Sequence, residues 1–175
     1  MPVDMDLRPS VAEDLPSLEK LYAAAFPEED LVPLLRHLLE ETDGVLSLVA
    51  VSKNEPVGHV IFTKCAVEPG RTTVALLGPL CAAPAFQKQG VGSRLVRAGL
   101  EAVRAWEAAQ VLVLGDPKYY GRFGFLPGSR ITPPYDLPKE WAAAWQYLEL
   151  ASGTAQESGT LRVPSPWQDR ALWSA

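Results

Sequence analysis

A short loop of small and polar residues joins an apolar segment to a long amphipathic one, and this order constrains the fold most strongly. The loop is Gln87-Lys88-Gln89-Gly90-Val91-Gly92-Ser93; the apolar segment covers residues 73–83, and the helical pattern after the loop continues to about Ala108. Glycines let a backbone approach an anion closely, and the first N–H groups of a helix lack intrahelical partners. The pattern predicts a strand, a phosphate-holding loop and a helix, with an ordinary glycine-containing loop as the alternative.

Length, composition and charge limit the class of protein. A chain of 175 residues with 47% apolar and 21% charged residues is long enough for one well-packed domain and has an ordinary composition for a folded protein. We therefore expect a single domain over residues 1–175. The net charge of −5 and the lack of a long basic stretch argue against nucleic acid as a partner.

Targeting signals and metal motifs are missing from the sequence. The first six residues have neither the basic nor the apolar region of a signal peptide, and no window approaches the roughly 18 apolar residues of a membrane span. We expect a cytoplasmic protein with no membrane partner, as a monomer or a homodimer. Cys65 and Cys81 form no CxxC motif and are interpreted as small buried hydrophobes, while His37 and His59 are far apart, so no metal is expected.

Hydrophobic periodicity and turn residues predict an alternation of strands and helices. Two helices with a bend are expected over the first forty or so residues, with Glu28-Glu29-Asp30 in the first turn of the second. Strands are expected at residues 4–9, 46–52, 57–64, 73–83, 111–114, 146–150 and 161–163. Gly78-Pro79 interrupts the fourth of these, where we expect a bulge, and Trp167 and Trp173 are interpreted as packing anchors.

A second motif follows the strand at residues 111–114. Asp116-Pro117 offers a helix N-cap and a first-turn proline, and the run Tyr-Tyr-Gly-Arg-Phe-Gly-Phe occupies residues 119–125. Together with the broken strand and the glycine loop, this motif resembles the GNAT superfamily of CoA-dependent N-acetyltransferases, and within it the YhbS-like bacterial group. The likeness is most specific over residues 77–125.

The resemblance implies an α/β fold with a central mixed, mostly antiparallel sheet flanked by helices. Its fourth and fifth strands splay apart and leave a cleft for acetyl-CoA, the co-substrate. Pro79 cannot donate to a strand ladder, and it stands where the fourth strand would stop pairing. Freed backbone groups can then bind the pantetheine amides like an added strand, while the glycine loop holds the pyrophosphate. The expected cofactor-binding residues are Leu80, Cys81, Ala82, Gln87, Lys88, Gln89, Gly90, Val91, Gly92 and Ser93.

Tyr120 matches the family's tyrosine that protonates the departing CoA thiolate. A phenol of pKa about 10 is protonated at neutral pH and can donate to sulfur as negative charge develops. The alternative is a core aromatic residue, which is the role we expect for Tyr119. A backbone N–H near Cys81 or Ala82 would stabilise the oxyanion during direct attack by the amine, with a covalent intermediate on Cys81 as the alternative.

The acceptor is less defined than the donor. The resemblance implies a primary amine, on a small molecule or on a protein, with Glu28, Glu29 or His59 as base directly or through water. The alternative reading makes Glu28 and Glu29 first-turn helix acids and His59 a structural histidine. Many family members carry an asparagine that contacts pantetheine where this chain has Val113. A catalytically silent acyl-CoA-binding or sensing domain is the main alternative function, and a mononucleotide-binding fold is a weaker one.

Overall fold

The computed structural model describes residues 4–41 and 43–174, which divide into two compact units. The first contains residues 4–62 and 78–102, and the second contains residues 63–77 and 103–174. Two long strands, β3 (Glu55–Glu68) and β4 (Thr72–Ala82), contribute part of their length to each unit. The expectation of a single domain stays a prediction.

The first unit contains two strands of its own, parts of β3 and β4, and three helices. Its own elements are β1 (Asp6–Pro9), α1 (Leu15–Ala25), α2 (Val32–Leu39), β2 (Val45–Ser52) and α3 (Val91–Ala102). β1 pairs antiparallel with β2, with Asp6 opposite Val51. α3 packs closely on β3, because a Cβ at Gly99 would overlap the ring of Phe62. Large apolar side chains of α1 and α2, among them Leu18 and Leu35, are fully buried.

The second unit contains the remaining strands and a short helix. Its own elements are β5 (Gln110–Leu114), α4 (Pro117–Tyr120), β6 (Leu126–Pro127), β7 (Ile131–Thr132), β8 (Trp145–Glu149) and β9 (Gly159–Arg162). β4 and β5 run parallel, as do β7 and β9, whereas β8 is antiparallel to both β5 and β6, and β9 is antiparallel to β3. The mixed, mostly antiparallel sheet expected from the sequence is confirmed.

The parallel ladder between β4 and β5 is short. It joins residues 75–77 to residues 111–113, while β4 itself continues to Ala82. The ladder therefore ends immediately before Gly78-Pro79, as expected from a proline that cannot donate a backbone hydrogen bond. Gly78 takes a φ of +145°, a conformation that side chains with a Cβ rarely adopt.

Two local expectations were wrong or incomplete. The second helix begins at Val32 rather than at Glu28, because Glu28 and Glu29 lie in an exposed turn, and Asp30 accepts the backbone N–H of Val32 before the helix starts. The third strand extends to Glu68 instead of ending at Lys64. Its additional residues pair with β9, a partner almost a hundred residues later in the chain.

The tryptophan-rich C-terminal segment packs as expected. Trp173 is 1% exposed, and its ring centroid lies 5.8 Å from that of Trp145 and 5.9 Å from that of Trp167. The indole N–H of Trp167 donates to the Thr63 hydroxyl, and that of Trp173 donates to the carbonyl of Trp167. Buried indole nitrogens need such partners, so these bonds fix the orientation of the cluster.

Candidate functional site

The glycine loop connects the end of β4 to the N-terminus of α3. A single 3-10 turn, Pro84–Phe86, precedes residues 87–90, which are exposed, and α3 begins at Val91. Gly90 takes a φ of +83°, and a Cβ built there would meet nothing within 4 Å. The backbone conformation therefore favours glycine at this position, and the space above it is open. Lys88 also takes a left-handed φ, of 62°.

Two glutamine side chains hold the loop to its own backbone. The amide of Gln89 donates to the carbonyl of Ala85 at 2.9 Å, and the amide of Gln87 donates to the carbonyl of Ala82 at 3.4 Å. These contacts fix the loop against the end of β4. They leave the backbone N–H groups of the first turn of α3, rather than the glutamine side chains, as the donors suited to an anion.

The end of β4 lies against the start of β3 within the same unit. The backbone N–H of Ala83 donates to the carbonyl of Val57 at 2.8 Å, and a Cβ at Gly58 would lie 3.2 Å from the carbonyl oxygen of Cys81. Cys81 is buried, whereas Leu80 and Ala82 are partly exposed. The alternation follows from strand geometry, in which successive side chains point to opposite faces.

The thiol of Cys81 is not activated. Burial raises its pKa to about 12, although a hydrogen bond from the backbone N–H of His59 lowers it somewhat. A thiol with this pKa carries almost no thiolate at neutral pH, and the thiolate is the nucleophilic form. This chemistry disfavours a covalent intermediate on Cys81. Burial likewise raises the pKa of Cys65 to about 12.

Tyr120 ends the short helix α4, which is positioned by its cap. The carboxylate of Asp116 accepts the backbone N–H of Lys118 at 2.9 Å, with Pro117 in the first turn, as predicted. A 3-10 turn, Gly121–Phe123, follows, and Gly124 at a φ of +97° ends it. This local geometry was predictable because each of its signals lies within nine residues of sequence.

The ring of Tyr120 is held on several sides. It contacts Phe125 edge to face at a centroid distance of 5.7 Å and Tyr119 at 5.0 Å, and a Cβ at Gly115 would overlap its Cε2 atom. Burial, and to a smaller extent Tyr119, raise the pKa of Tyr120 above that of a free tyrosine. The hydroxyl therefore stays protonated at neutral pH, which is the form that can give a proton to a leaving group.

His59 lies on β3 in the first unit and is completely buried. Its Nδ1 lies 2.7 Å from the Tyr22 hydroxyl, and its Nε2 lies 2.7 Å from the Ser47 hydroxyl. Burial lowers the pKa of His59 to about 3, an effect that the Asp14 carboxylate partly offsets. The imidazole is therefore neutral near pH 7. Sequence reasoning identified His59 but missed Tyr22, whose helical spacing indicated only an apolar face.

The expected acidic bases are exposed. Glu28 and Glu29 lie in the turn between α1 and α2, ahead of the first turn of α2, which begins at Val32. The buried acid of this unit is Asp14, whose two carboxylate oxygens receive the Arg8 guanidinium at 2.7 and 2.8 Å. These bonds lower the pKa of Asp14, while its burial opposes the shift. Within residues 4–41 and 43–174, no three metal-binding side chains cluster and no helix is long and apolar enough to cross a membrane.

Comparison with known proteins identifies a family and relatives with similar sequences. The sequence profile of the Acetyltransferase (GNAT) family matches residues 15–125. The chain is 33% identical over 166 residues to the uncharacterized N-acetyltransferase YjhQ of Escherichia coli K12, covering 91% of this chain and 92% of that one. It is 28% identical over 151 residues to YhbS of the same strain, another uncharacterized N-acetyltransferase, covering 84% and 88%.

Solved structures share the fold over almost the whole chain. Crystalline YhbS from Escherichia coli in complex with CoA superimposes with a TM-score of 0.85 at 24% identity, over 97% of this chain and 94% of that one. A GNAT family acetyltransferase from Brucella melitensis in complex with acetyl-CoA gives a TM-score of 0.76 at 25% identity, over 93% and 97%. The chain therefore belongs to the GNAT family of acetyltransferases, which confirms the family, the fold and the enzyme class expected from its sequence.

Proposed function

We propose that this protein transfers the acetyl group of acetyl-CoA to a primary amine by direct attack, with Tyr120 as the general acid. The observation that carries the proposal is the state of Tyr120: its ring is clamped after β5 against Gly115, and burial keeps its hydroxyl protonated. A protein that only binds acyl-CoA has no need of a proton donor for sulfur. Family membership and the CoA and acetyl-CoA complexes of two relatives support the choice of co-substrate.

The first unit supplies the proposed contacts to acetyl-CoA. The pyrophosphate would accept hydrogen bonds from the backbone of residues 90–93. These residues form the N-terminus of α3, which favours an anion by about 0.3 to 1 kcal/mol at an exposed site. The open space over Gly90 and the self-bonded amides of Gln87 and Gln89 fit this role. Lys88 would add a positive charge. The backbone of residues 80–82 would bind pantetheine and the thioester oxygen.

The reaction forms one bond and breaks another. The neutral amine attacks the thioester carbon, and its electron pair pushes the carbonyl oxygen to an oxyanion, which a backbone N–H of Cys81 or Ala82 would stabilise; one such donor contributes about 10²- to 10³-fold in rate. As the oxyanion collapses, the carbon–sulfur bond breaks and Tyr120 gives its proton to the sulfur. The nitrogen loses one proton, and Tyr120 regains one from solvent.

The amine must first lose its charge. For an amine like that of lysine, with a pKa of about 10.4, the neutral form costs about 4.6 kcal/mol at pH 7, which desolvation or a base has to offset. Neither Glu28 nor Glu29 is buried, so each could act only from the surface. The acceptor itself, a small molecule or a protein amine, and the cytoplasmic location remain part of the proposal.

Thiol release from acetyl-CoA across a panel of amines tests the proposal. The panel should span polyamines, amino sugars, aminoacyl compounds and lysine peptides, each read against a blank without amine. The expected result is amine-dependent release of CoA and an N-acetylated product with the added mass of one acetyl group. Tight CoA binding without turnover of any amine would instead favour the acyl-CoA sensor.

A further inference from the structure

Two glutamines are buried in adjacent strands of the second unit. Gln146 lies on β8 and Gln110 on β5, and each is 1% exposed. Their side-chain amides donate to backbone carbonyls, that of Gln146 to Gly115 and that of Gln110 to Thr154. In each, the side-chain oxygen receives no hydrogen bond from the part of the chain that the structure describes. A buried glutamine with an unpaired oxygen is a costly way to fill an apolar interior, so the bonds made by its NH₂ group matter.

The orientation of the Gln146 side chain is fixed by its two partners. Its Nε2 donates to the carbonyl of Gly115 at 3.0 Å and to that of Ala144 at 3.2 Å. Both partners are carbonyl oxygens, which can only accept, so the NH₂ group must face them and Oε1 must point away. The reverse orientation would set three oxygens against one another. The unpaired oxygen of Gln146 is therefore a consequence of holding these two carbonyls.

Gly115 is held at both of its backbone polar groups by the start of β8. Its N–H donates to the carbonyl of Ala144 at 2.9 Å, and its carbonyl accepts from Gln146. Among residues 4–41 and 43–174, Gln146 is the one donor to that carbonyl. Glycine has wide backbone freedom, so a side-chain bond to its carbonyl selects one orientation of the peptide that leads into Asp116.

This peptide supports the proposed general acid. The Tyr120 ring lies so close to Gly115 that a Cβ there would overlap its Cε2 atom, and Asp116 caps the helix that ends in Tyr120. A turn of the Gly115–Asp116 peptide would move both the surface under the ring and the cap of α4. Through Gly115, Gln146 therefore sets where the ring rests and the direction in which α4 starts.

A second residue of β8 contacts the other end of the same segment. Gln146 and Leu148 are two residues apart on a strand, so their side chains lie on one face of the sheet. A Cβ at Gly124 would lie 3.3 Å from Cδ1 of Leu148, so that side chain lies beside the glycine that ends the turn after α4. One face of β8 thus supports residues 115–124 at both ends.

We propose that Gln146 is a positioning residue for Tyr120, an inference that rests on the proposed function. Its amide fixes the carbonyl of Gly115, and Gly115 in turn fixes the phenol that gives its proton to the CoA sulfur. Gln146 itself forms no bond to substrate and transfers no proton. Accurate placement matters because a displacement of about 1 Å in a catalytic group can cost about 10²-fold in rate.

Gln146→Met and Gln110→Met form a matched pair. Methionine is close to glutamine in length but donates no hydrogen bond, and each variant loses one buried amide with an unpaired oxygen. Only Gln146 bonds to Gly115. We expect Gln146→Met to lower kcat about tenfold or more with KM for acetyl-CoA within about threefold, while Gln110→Met stays within about twofold of the wild type. Equal kcat in the two variants would overturn the inference.

The Tyr120→Phe background separates positioning from a general loss of structure. If Gln146 acts through the Tyr120 hydroxyl, Gln146→Met should lower the remaining kcat of Tyr120→Phe by less than about twofold, because the group that it positions is already gone. An equal fold-loss in both backgrounds would make Gln146 a general support of the fold and would overturn the inference. Gln146→Asn, whose amide is one methylene too short to reach Gly115, replaces Gln146→Met if the latter does not fold.

NMR of the tyrosine rings in the free protein needs no amine. With ¹³C-labelled tyrosine, the ring signals of Tyr120 are identified by their absence from Tyr120→Phe. Gln146→Met should shift or broaden these signals, whereas Gln110→Met, at the opposite end of β5 from Gly115, should leave them in place. Unchanged Tyr120 signals in Gln146→Met would overturn the inference even in an active enzyme. If no amine is acetylated but the signals change, the proposed function fails while the positional role of Gln146 stands.

Discussion

The ring of Tyr120 lies directly against the backbone of Gly115, where a Cβ would overlap its Cε2 atom. Gly115 follows the last residue of β5, and Asp116 caps the helix that ends in Tyr120. The chain thus turns back on itself within six residues, and the absence of a side chain at Gly115 sets where the phenol lies. The position of the proposed acid depends on this contact.

Gly115→Ala should therefore displace Tyr120. The added methyl group must push the ring aside or strain the turn, which costs about 1 to 3 kcal/mol in a packed site. We expect a lower kcat with CoA affinity kept, measured by steady-state kinetics and calorimetric titration. Gly121→Ala is the matched control, because a Cβ there meets nothing within 4 Å and its φ of −56° suits alanine. Equal kcat in both variants would refute the positional role of Gly115.

Substitutions at Gly90 test the phosphate role of the loop. Asn and Asp both tolerate the left-handed φ of +83°, are similar in size and would extend into open space, so they differ mainly in charge. If the pyrophosphate lies here, Gly90→Asp should bind CoA at least about fivefold more weakly than Gly90→Asn, since like charges about 4 Å apart repel by about 1 kcal/mol or more. Calorimetric titration gives both affinities; equal values would place the phosphates elsewhere.

The burial of His59 predicts how stability depends on pH. Its pKa is lowered from 6.5 to about 3, so between these values the unfolded chain binds a proton at His59 that the folded chain does not. The contribution of His59 to the unfolding free energy is therefore largest above pH 6.5. It should decrease as the pH falls below 6.5, by up to about 1.4 kcal/mol per pH unit. His59→Gln should flatten the slope of the unfolding free energy between about pH 6.5 and 4.5.

His37→Gln, which removes an exposed histidine, provides the comparison. Urea denaturation at several pH values gives the unfolding free energy as a function of pH for each variant. The slopes are compared rather than the free energies themselves, because His59→Gln also removes buried hydrogen bonds and so lowers stability at every pH. An unchanged slope in His59→Gln would mean that the imidazole titrates normally in the folded state.

The Arg8–Asp14 pair should stabilise the start of α1. Asp14→Asn keeps an oxygen that can accept the backbone N–H of Val11 but loses the ion pair, and we expect a loss of about 1 kcal/mol at pH 7, since the Arg8 side chain is 43% exposed. The pKa of Asp14 is lowered, so this contribution is present above about pH 4 and is lost as pH falls through the folded pKa. The wild type and Asp14→Asn should therefore converge in stability in acid. A constant difference across pH would exclude the ion pair as its source.

Local signals carried the predictions that succeeded. The cap at Asp116, the short helix to Tyr120, the glycine loop before α3 and the end of pairing before Gly78-Pro79 each depend on residues within a few positions of one another. Turn and cap chemistry act at this range, so single-sequence reasoning can identify them.

The features that the sequence did not predict depend mostly on contacts between segments that are distant in sequence. Hydrogen bonds join the side chains of Tyr22, His59, Ser47 and Ser10, and successive partners are 37, 12 and 37 positions apart in sequence. No pattern in α1 distinguishes Tyr22 from an ordinary core residue. The second helix was placed too early because Glu28 and Glu29 resemble first-turn acids, whereas Pro33 stands in the first turn of α2 and Asp30 bonds ahead of it. The pairing of β7 with β9 involves only two residues on β7, too few to show an alternating pattern.

The most direct test of the account compares Tyr120→Phe with Tyr119→Phe in the thiol-release assay, using the best amine of the panel. The two residues are adjacent and each variant loses one hydroxyl, but only Tyr120 is proposed to protonate the CoA sulfur. We predict that Tyr120→Phe lowers kcat by about 10² to 10⁴-fold with nearly unchanged CoA affinity, while Tyr119→Phe stays close to the wild type. Full activity in Tyr120→Phe would contradict the proposed mechanism.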